Sequence, residues 1–302
     1  MEPLNIARND FPASTAHADG MQTLPPGGDN DELFYEEDVV YIERDGLALR
    51  LQIIGPIDGR QDKAAVVFIP GSAFRKQNVK ARVPQLAQLA GRGFVVALLE
   101  YRASDIAPFP AQALDAKAGI RFLKRNAAKY RISPEKIVVM GDSSGAHTAM
   151  MAAFTSGIPQ LEEPQDDGVT AEVCGCIDFF GPVNFATMND EPSTQDHRAP
   201  DSPEGREIGG RNVLDHPELV RQAAVTTYVS NGRQIPPIII FHGANDELVP
   251  FGQSCELFRA LAGAKKDAAF YKIPGAHHGG KEFWSSRVME IVEQFIRRTA
   301  GA

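Results

Sequence analysis

Short, uninterrupted apolar runs alternate with longer amphipathic stretches along most of this 302-residue chain. Six of the runs read AAVVFI, FVVALL, KIVVM, VCGCIDFF, PIIIF and AAFYKI. Successive residues of a strand point to opposite faces of a sheet, so an unbroken apolar run indicates a strand that is covered on both faces. Between the runs, residues 111–130 and 284–295 carry apolar side chains at helical spacing. The alternation therefore predicts a mostly parallel sheet with helices on both faces.

Two segments depart from this alternation. Residues 1–36 are rich in Pro, Gly, Asp and Asn and predict an N-terminal arm, which is either disordered or folded over a pocket that contains the active site. After the arm, VVYIER and ALRLQIIG predict two strands around an Asp-Gly turn. Residues 182–235 hold many turn residues and no clear strand pattern. They predict a cap-like insertion at the carboxyl end of the sheet, where α/β folds bind their ligands.

Composition and charge exclude several classes of protein. The chain has 39 acidic and 31 basic side chains, a net charge of −8 and no dense Lys/Arg run, which argues against a nucleic-acid-binding protein. No apolar run approaches the ~20 residues that a membrane span needs. The first residues lack an apolar stretch behind basic residues, so we expect a cytoplasmic location. Cys174 and Cys176 are expected to be small core residues, since no further Cys or His lies at metal-ligand spacing.

One apolar run leads into a motif that indicates chemistry. KIVVM is followed at once by GDSSG at 141–145 and then by a predicted helix. G-x-S-x-G between a strand and a helix predicts a tight turn with Gly on both sides, because larger side chains would collide with the neighbouring strand and helix. Ser143, at the centre, is the candidate nucleophile. The Ser144 N–H is a candidate donor to an oxyanion, whereas no role is expected for the Ser144 hydroxyl.

A nucleophilic serine needs a base, and the base needs a carboxylate that orients it. In sheet folds with this turn, the chain order is serine, acid, histidine. His277 and His278 follow the run AAFYKI and precede the final predicted helix, where the base is expected. The glycine after His278 favours His278, and His277 is the alternative. Of the other five histidines, His17 lies in the arm, and His197 and His216 lie in the insertion. Packing is expected for His147 and structural hydrogen bonding for His242.

The orienting acid is expected after the preceding strand. PIIIF runs directly into HGANDELVP at 242–250, which holds two carboxylates. Asp246 is the candidate and Glu247 is the alternative. Asp246 is preferred because the longer side chain of Glu247 suits a short loop less well.

A second oxyanion donor is expected in the loop after AAVVFI, which reads PGSAF at 70–74 and which we call the oxyanion loop. Gly71 permits the turn, and the small residues Ser72 and Ala73 leave their amides accessible. Loss of one such donor typically lowers the rate by ~10²–10³. The sequence therefore predicts that Ser72, Ala73 and Ser144 supply the oxyanion hole.

Together these motifs resemble those of α/β-hydrolase esterases of the hormone-sensitive-lipase-like type. More narrowly, the chain is similar to the branch with bifunctional acetylxylan and feruloyl esterases. The resemblance extends from about residue 60 to the end and rests on EYRAS, FPAQALDAKAGIRFLKRNAAKY, GDSSGAH, DSPEGREIGG, HGANDELVPFGQS and PGAHHGGKEFW. It implies an α/β-hydrolase catalytic domain at 37–302, with Ser143 as nucleophile, Asp246 as acid and His278 as base. It also implies no metal ion and no organic cofactor.

The oxyanion loop departs from the HGGGW that this family commonly carries, because Ser72 and Ala73 replace two glycines. Their side chains narrow the space beside the loop, which predicts a preference for small acyl groups such as acetyl. The predicted function is hydrolysis of short-chain esters, of acylated sugars or oligosaccharides, through an acyl-enzyme on Ser143. The expected partner is this small ester substrate, not a nucleic acid or a membrane. An amide hydrolase (a peptidase or formamidase) with the same residues and a non-catalytic binding protein on this fold are the alternatives.

Overall fold

A single sheet of eight strands organises the main unit of the protein, residues 32–302. The structure is a computed structural model that describes residues 5–24, 32–164 and 167–301. The strand order is β1-β2-β4-β3-β5-β6-β7-β8, in which β1/β2 and β2/β4 pair antiparallel and all other pairs are parallel. This confirms the predicted mostly parallel sheet. The strands are β1 (Leu33–Arg44), β2 (Leu47–Pro56), β3 (Lys63–Ile69), β4 (Val95–Leu99), β5 (Ile132–Asp142), β6 (Gly175–Phe179), β7 (Ile238–Gly243) and β8 (Ala268–Ile273).

Helices cover both faces of the sheet. The helices are α1 (Val83–Ala90), α2 (Ala111–Arg125), α3 (Ala127–Tyr130), α4 (Ser144–Phe154), α5 (Pro203–Glu207), α6 (Pro217–Ala223), α7 (Gly252–Gly263) and α8 (Ser286–Ala300). Strand β3 shows why its apolar run is unbroken: Val67 and Ile69 pack in one core with α2, α4 and α7, whereas Val66 and Phe68 pack in a second core with α1 and α8. Every residue of β3 is buried.

The two long helical patterns are interrupted where backbone geometry requires it. Residues 111–130 form two helices because Asn126 between them leaves helical geometry, with φ −101° and ψ 21°. Trp284 lies in a 3₁₀ turn that precedes α8 and not in the helix itself. Helix α8 begins after Ser285, whose side chain accepts the N–H of Val288 and so caps the helix.

The N-terminal arm forms a unit of its own. Its described part, residues 5–24, contains one 3₁₀ turn at Arg8–Asp10 and is exposed throughout. The Pro- and Gly-rich stretch at 25–31 lies outside the described residues. Strand β1 begins at Leu33, four residues before the predicted start of the catalytic domain at residue 37. That the arm covers the active site stays a prediction.

The segment between β6 and β7, fully described at 180–237, contains α5, α6 and short 3₁₀ turns but no strand. It leaves the sheet at the carboxyl end of β6, where the insertion was expected. Its apolar side chains form a small core of their own, including Phe185, Ile208 and Val220, and Phe74 of the oxyanion loop packs into it. The insertion thus holds the oxyanion loop by direct packing.

Two further expectations concern cysteines and membranes. Cys176 is buried and Cys174 half-buried, and both are free thiols in the core, as predicted.

Across residues 5–24, 32–164 and 167–301, no cluster of His, Cys, Asp and Glu could hold a metal ion. None of the helices in the described parts of the chain combines the length and apolarity that a bilayer crossing requires.

Candidate active site

Ser143 lies between β5, which ends at Asp142, and α4, which begins at Ser144. Its backbone has φ 52° and ψ −128°, a region that a residue with a side chain adopts only when its surroundings force it to. The hydrogen bonds around it supply that force: its N–H donates to the Phe179 carbonyl at 2.9 Å, and its own carbonyl accepts the Ala146 N–H at 2.9 Å. The turn holds the Ser143 side chain at the carboxyl end of the sheet.

The two flanking glycines are required by close backbone approaches. A Cβ on Gly141 would lie well inside van der Waals contact with the carbonyl of Gly145. A Cβ on Gly145 would collide with the carbonyl of Ile69 and the backbone of Pro70. The structure therefore shows the steric reason that the motif predicted.

Gly145→Ala is expected to destabilise the fold by about 3 kcal/mol or more, because the new methyl group meets backbone that cannot move without disturbing β3. The free energy of unfolding in urea measures the loss. Gly263→Ala is the matched control, since its Cβ would meet nothing within 4 Å at the end of α7. A Gly145→Ala variant as stable as that control would contradict the steric argument.

The three residues predicted for catalysis come together at this turn. His278 Nε2 lies 2.9 Å from Ser143 Oγ. On the other side of the ring, His278 Nδ1 lies 2.8 Å from Asp246 Oδ2. A carboxylate only accepts hydrogen bonds, so Nδ1 carries the proton and Nε2 is left to accept the Ser143 hydroxyl. This is the geometry that a general base needs.

Asp246 is held as an anion by its surroundings. Its Oδ1 accepts the N–H groups of Leu248 and Val249, both at 2.9 Å, and its Oδ2 faces His242 Nε2 at 3.1 Å as well as His278. Burial raises the pKa of the Asp246 carboxyl, but the hydrogen bonds from the two histidines outweigh it and hold this pKa well below its usual range. His242 is thus a structural hydrogen-bonder, as predicted.

The alternative residues lie together, away from the serine hydroxyl. His277 Nδ1 is 3.0 Å from Glu247 Oε2, and both side chains are exposed. Glu247 also accepts the backbone N–H of His278 at 3.4 Å. The structure therefore brings Asp246 and His278 to Ser143 and leaves Glu247 and His277 as a surface pair that steadies the loop.

The oxyanion loop is joined to Ser144 by a hydrogen bond. The Ser72 N–H donates to Ser144 Oγ at 2.9 Å, so this amide is engaged within the protein, and its part in the oxyanion hole stays a prediction. By the same contact, the Ser144 hydroxyl has a role after all: it anchors the loop. The N–H groups of Ala73 and Ser144 donate to no acceptor within the described part of the chain, which leaves these two amides for an oxyanion.

The loop depends on residues that pattern reading did not single out. Buried Tyr101 donates to the Pro70 carbonyl at 3.2 Å, and its hydroxyl also lies 3.1 Å from Ser72 Oγ and 3.4 Å from Ser144 Oγ. Asp142 Oδ1 accepts the Gly71 N–H at 2.6 Å. EYRAS contains Tyr101 and GDSSG contains Asp142, but neither motif indicated these contacts.

His147 is a packing residue, as its place on α4 suggested. Its ring meets Phe74 edge-on at 5.3 Å between centroids, and its Nε2 donates to the Ala223 carbonyl at 2.8 Å. Burial lowers the pKa of the imidazole to about 4, against the opposing effect of that hydrogen bond. At neutral pH His147 is therefore uncharged and fills the core shared by α4, the oxyanion loop and the insertion.

A buried carboxyl lies beside the turn. Asp178 of β6 pairs with Gly141 of β5 in the sheet and is fully buried. Its Oδ1 accepts the Gly181 N–H at 2.8 Å, whereas its Oδ2 has no partner among the residues the structure describes. Burial raises the pKa of Asp178 from 3.8 to about 7, although the Gly181 N–H acts in the opposite direction.

Because the folded state binds this proton more tightly than the unfolded chain, ionisation of Asp178 costs stability as the pH rises from about 4 to about 7. Asp178→Asn removes the charge and keeps an acceptor for Gly181. We expect Asp178→Asn to raise the free energy of unfolding at pH 8 by as much as about 4 kcal/mol more than at pH 4, from 1.36 kcal/mol per pKa unit. Urea unfolding at the two pH values measures this, with exposed Asp201→Asn as control. An equal effect at both pH values would contradict the prediction.

Comparison with known proteins supports the fold and the family. The BD-FAE family model matches residues 51–261, which include Ser143 and Asp246. Esterase LipC of Mycobacterium tuberculosis is 27% identical over 216 residues, 71% of this chain and 52% of that protein. The chain thus spans about half the length of the curated relatives it matches.

Solved structures match over more of their length. A carbohydrate esterase from gut microbiota superposes with a TM-score of 0.81 at 28% identity, covering 92% of this chain and 99% of that one. Esterase 2 of Thermogutta terrifontis with bound propionate gives a TM-score of 0.69 at 27% identity, covering 87% of this chain and 94% of that one. Its butyrate-bound form matches with the same TM-score. With the family model matching more than half of its length, the chain belongs to the BD-FAE family and has the α/β-hydrolase fold.

Proposed function

We propose that the protein is a serine carboxylic-ester hydrolase. The observation that carries this proposal is the continuous contact from Ser143 Oγ to His278 Nε2, 2.9 Å, and from His278 Nδ1 to Asp246 Oδ2, 2.8 Å. A serine, a base and an orienting acid in this order are the requirements for nucleophilic attack on a carbonyl carbon. The names of the relatives, which include esterases and a carboxylic ester hydrolase, support the same reaction.

In the first half of the reaction, Ser143 Oγ attacks the ester carbonyl carbon while His278 Nε2 takes the hydroxyl proton. The carbonyl oxygen becomes an oxyanion, which the amides of Ala73 and Ser144 stabilise. Ser144 opens α4, so the positive end of the helix dipole adds to this stabilisation. Asp246 stays ionised and stabilises the imidazolium that forms.

In the second half, His278 returns the proton to the leaving alcohol, and the acyl group remains on Ser143 as an ester. Water then attacks this acyl-enzyme, with His278 again taking a proton. Collapse of the second tetrahedral intermediate breaks the bond to Ser143 Oγ, releases the carboxylic acid and restores the serine. One water molecule is consumed and one ester bond is cleaved, so no metal or organic cofactor is required.

The proposed substrates are short-chain esters, in particular acetyl esters of sugars or oligosaccharides. The acyl preference is supported by the side chains on the oxyanion loop, since Ala73 adopts φ 54° and places a methyl group where this family commonly has glycine. It is also supported by the similar Thermogutta esterase, which binds propionate and butyrate. The sugar half is supported by the similarity to a carbohydrate esterase.

A series of nitrophenyl esters tests the acyl preference. We expect kcat/KM to be at least tenfold higher for the acetyl and butyryl esters than for the octanoyl ester, because longer chains meet the side chain of Ala73. Ala73→Gly should narrow this difference by opening the same space. Faster turnover of the octanoyl ester by the natural protein would overturn the preference.

A panel of substrates tests the reaction itself. It contains acetylated xylo-oligosaccharides, feruloyl esters, nitrophenyl acetate and formyl amides at matched concentrations. We expect the acetyl esters to be hydrolysed fastest. Preferential cleavage of the formyl amides would replace the proposal with an amide hydrolase, and no turnover of any member would favour a binding protein.

A further inference from the structure

A surface cavity of about 680 Å³ lies beside the oxyanion loop, and the residues that line it are unusually basic. Arg75 and Lys76 come directly after the loop, and Arg206 comes from α5 of the insertion. Asp105 is the single acidic residue among those that line the cavity. In a chain with a net charge of −8, this is a local excess of positive charge.

None of the three cations of the cavity forms an ion pair with a carboxylate of the described residues. Within the described ranges, no Asp or Glu side chain lies at ion-pair distance from Arg75, Lys76 or Arg206, whereas other cations do form such pairs, for example Arg102 with Asp115. Unpaired guanidinium groups that face one cavity favour binding of an anion, because their planar donors match the two oxygens of a carboxylate.

Two further groups belong to the polar surroundings of the cavity. Ser104 also lines the cavity and is only 7% exposed, and its hydroxyl has no hydrogen-bond partner in the described part of the chain. A buried hydroxyl in this state needs a partner from outside the chain. Glu207, next to Arg206, is fully buried, and burial raises the pKa of its carboxyl well above its usual range. Neither carboxyl oxygen of Glu207 has a hydrogen-bond partner among the described residues, so Glu207 does not pair with Arg206.

The residues that line the cavity are linked to the oxyanion loop by chain connection and by hydrogen bonds. Ala73, whose amide is proposed to bind the oxyanion, is two residues from Arg75, so their Cα atoms lie no more than about 8 Å apart. The Arg75 carbonyl accepts the Ser72 hydroxyl at 2.6 Å, and the Phe74 carbonyl accepts the Ser104 N–H at 2.7 Å. An ester held at Ser143 could therefore extend a substituent into the cavity.

We propose that this cavity binds a carboxylate carried on the alcohol half of the ester, through Arg75, Lys76 and Arg206 with the Ser104 hydroxyl. This inference rests on the proposed function. The short acyl group proposed there does not reach past the oxyanion loop, which assigns the charged group to the alcohol. The preferred substrates are then short-chain esters of acidic alcohols, such as acetylated uronic acids.

The test compares 3- and 4-acetoxybenzoate with the corresponding acetoxybenzamides, which have the same shape without the charge. For the natural protein we expect kcat/KM to be at least fivefold higher for one of the acids than for its amide. In the double variant Arg75→Gln/Arg206→Gln this ratio should fall to about one, mainly through a higher KM for the acid. The control Arg287→Gln removes an exposed cation on α8 and should leave the ratio as it is.

Three outcomes separate this inference from the proposed function. A ratio that falls in the double variant and in 0.5 M salt, but not in the control, supports a carboxylate site. Equal kcat/KM for acid and amide in the natural protein overturns the carboxylate site, and so does a ratio that the double variant keeps. In either case, cleavage of the acetyl ester of the acetoxybenzamides still supports an esterase. Failure to hydrolyse any of the four esters overturns both.

Discussion

Replacing Ser143 with alanine is expected to lower kcat for nitrophenyl acetate by about 10⁶-fold, the loss typical when the nucleophile of a serine hydrolase is removed. The reason is that the Ser143 hydroxyl is the group 2.9 Å from the unprotonated nitrogen of His278, and it is the proposed site of the acyl-enzyme. The variant should also lose covalent labelling by a fluorophosphonate probe. Mass spectrometry of the labelled natural protein should place the adduct on Ser143.

The chain offers a matched control, because a second serine and histidine lie beside a carboxylate. Ser193 Oγ lies 2.9 Å from His197 Nε2, and His197 Nδ1 lies 2.8 Å from Glu204 Oε2. The two arrangements differ in which ring nitrogen is protonated. His197 Nε2 also faces the Leu248 carbonyl at 2.9 Å and must donate to it. Burial lowers the pKa of His197, but the hydrogen bond and charge of Glu204 outweigh it and raise this pKa.

Because His197 Nε2 donates to the Leu248 carbonyl, this nitrogen carries a proton and cannot act as a base toward Ser193. Ser193→Ala should keep the fluorophosphonate label, whereas Ser143→Ala should lose it. A label on Ser193, or labelling that survives in the Ser143→Ala variant, would overturn the assignment of the nucleophile.

The sheet could be predicted from the sequence because burial on both faces leaves a direct mark. A strand such as β3 must be apolar at consecutive positions, since Val66 and Val67 enter different cores. The helix boundaries could not be predicted as well. The break at Asn126 and the 3₁₀ turn at Trp284 follow from local dihedral angles and capping, which a pattern of apolar residues does not record.

The candidate site divides in the same way. Ser143, Asp246 and His278 follow the ends of β5, β7 and β8, and the carboxyl ends of parallel strands lie at one edge of the sheet, so chain order was enough to place them together. The contact between the Ser72 N–H and Ser144 Oγ joins residues 72 positions apart. This contact depends on how two loops approach each other. No spacing in the sequence indicates that the Ser144 hydroxyl accepts the N–H of Ser72.

Asp246→Asn is expected to lower kcat by about 10⁴-fold at neutral pH while leaving KM within a fewfold of its value. Asp246 Oδ2 now accepts from both His242 and His278, and only an acceptor there fixes the proton of His278 on Nδ1. An amide can present its NH₂ group to His278 instead, which favours the tautomer with the proton on Nε2. That tautomer cannot take the proton of Ser143, and the charge that stabilises the imidazolium is gone as well.

Glu247→Gln is the matched control, because it neutralises the adjacent carboxylate, which contacts the exposed ring of His277 and only the backbone of His278. Its cost should stay below tenfold, since neither the Asp246 carboxylate nor the tautomer of His278 changes. Measured kcat values for the two variants, each checked for folding by its thermal transition, decide between the acids. Equal losses in both variants, or a larger loss in Glu247→Gln, would transfer the orienting role to Glu247 and with it the base to His277.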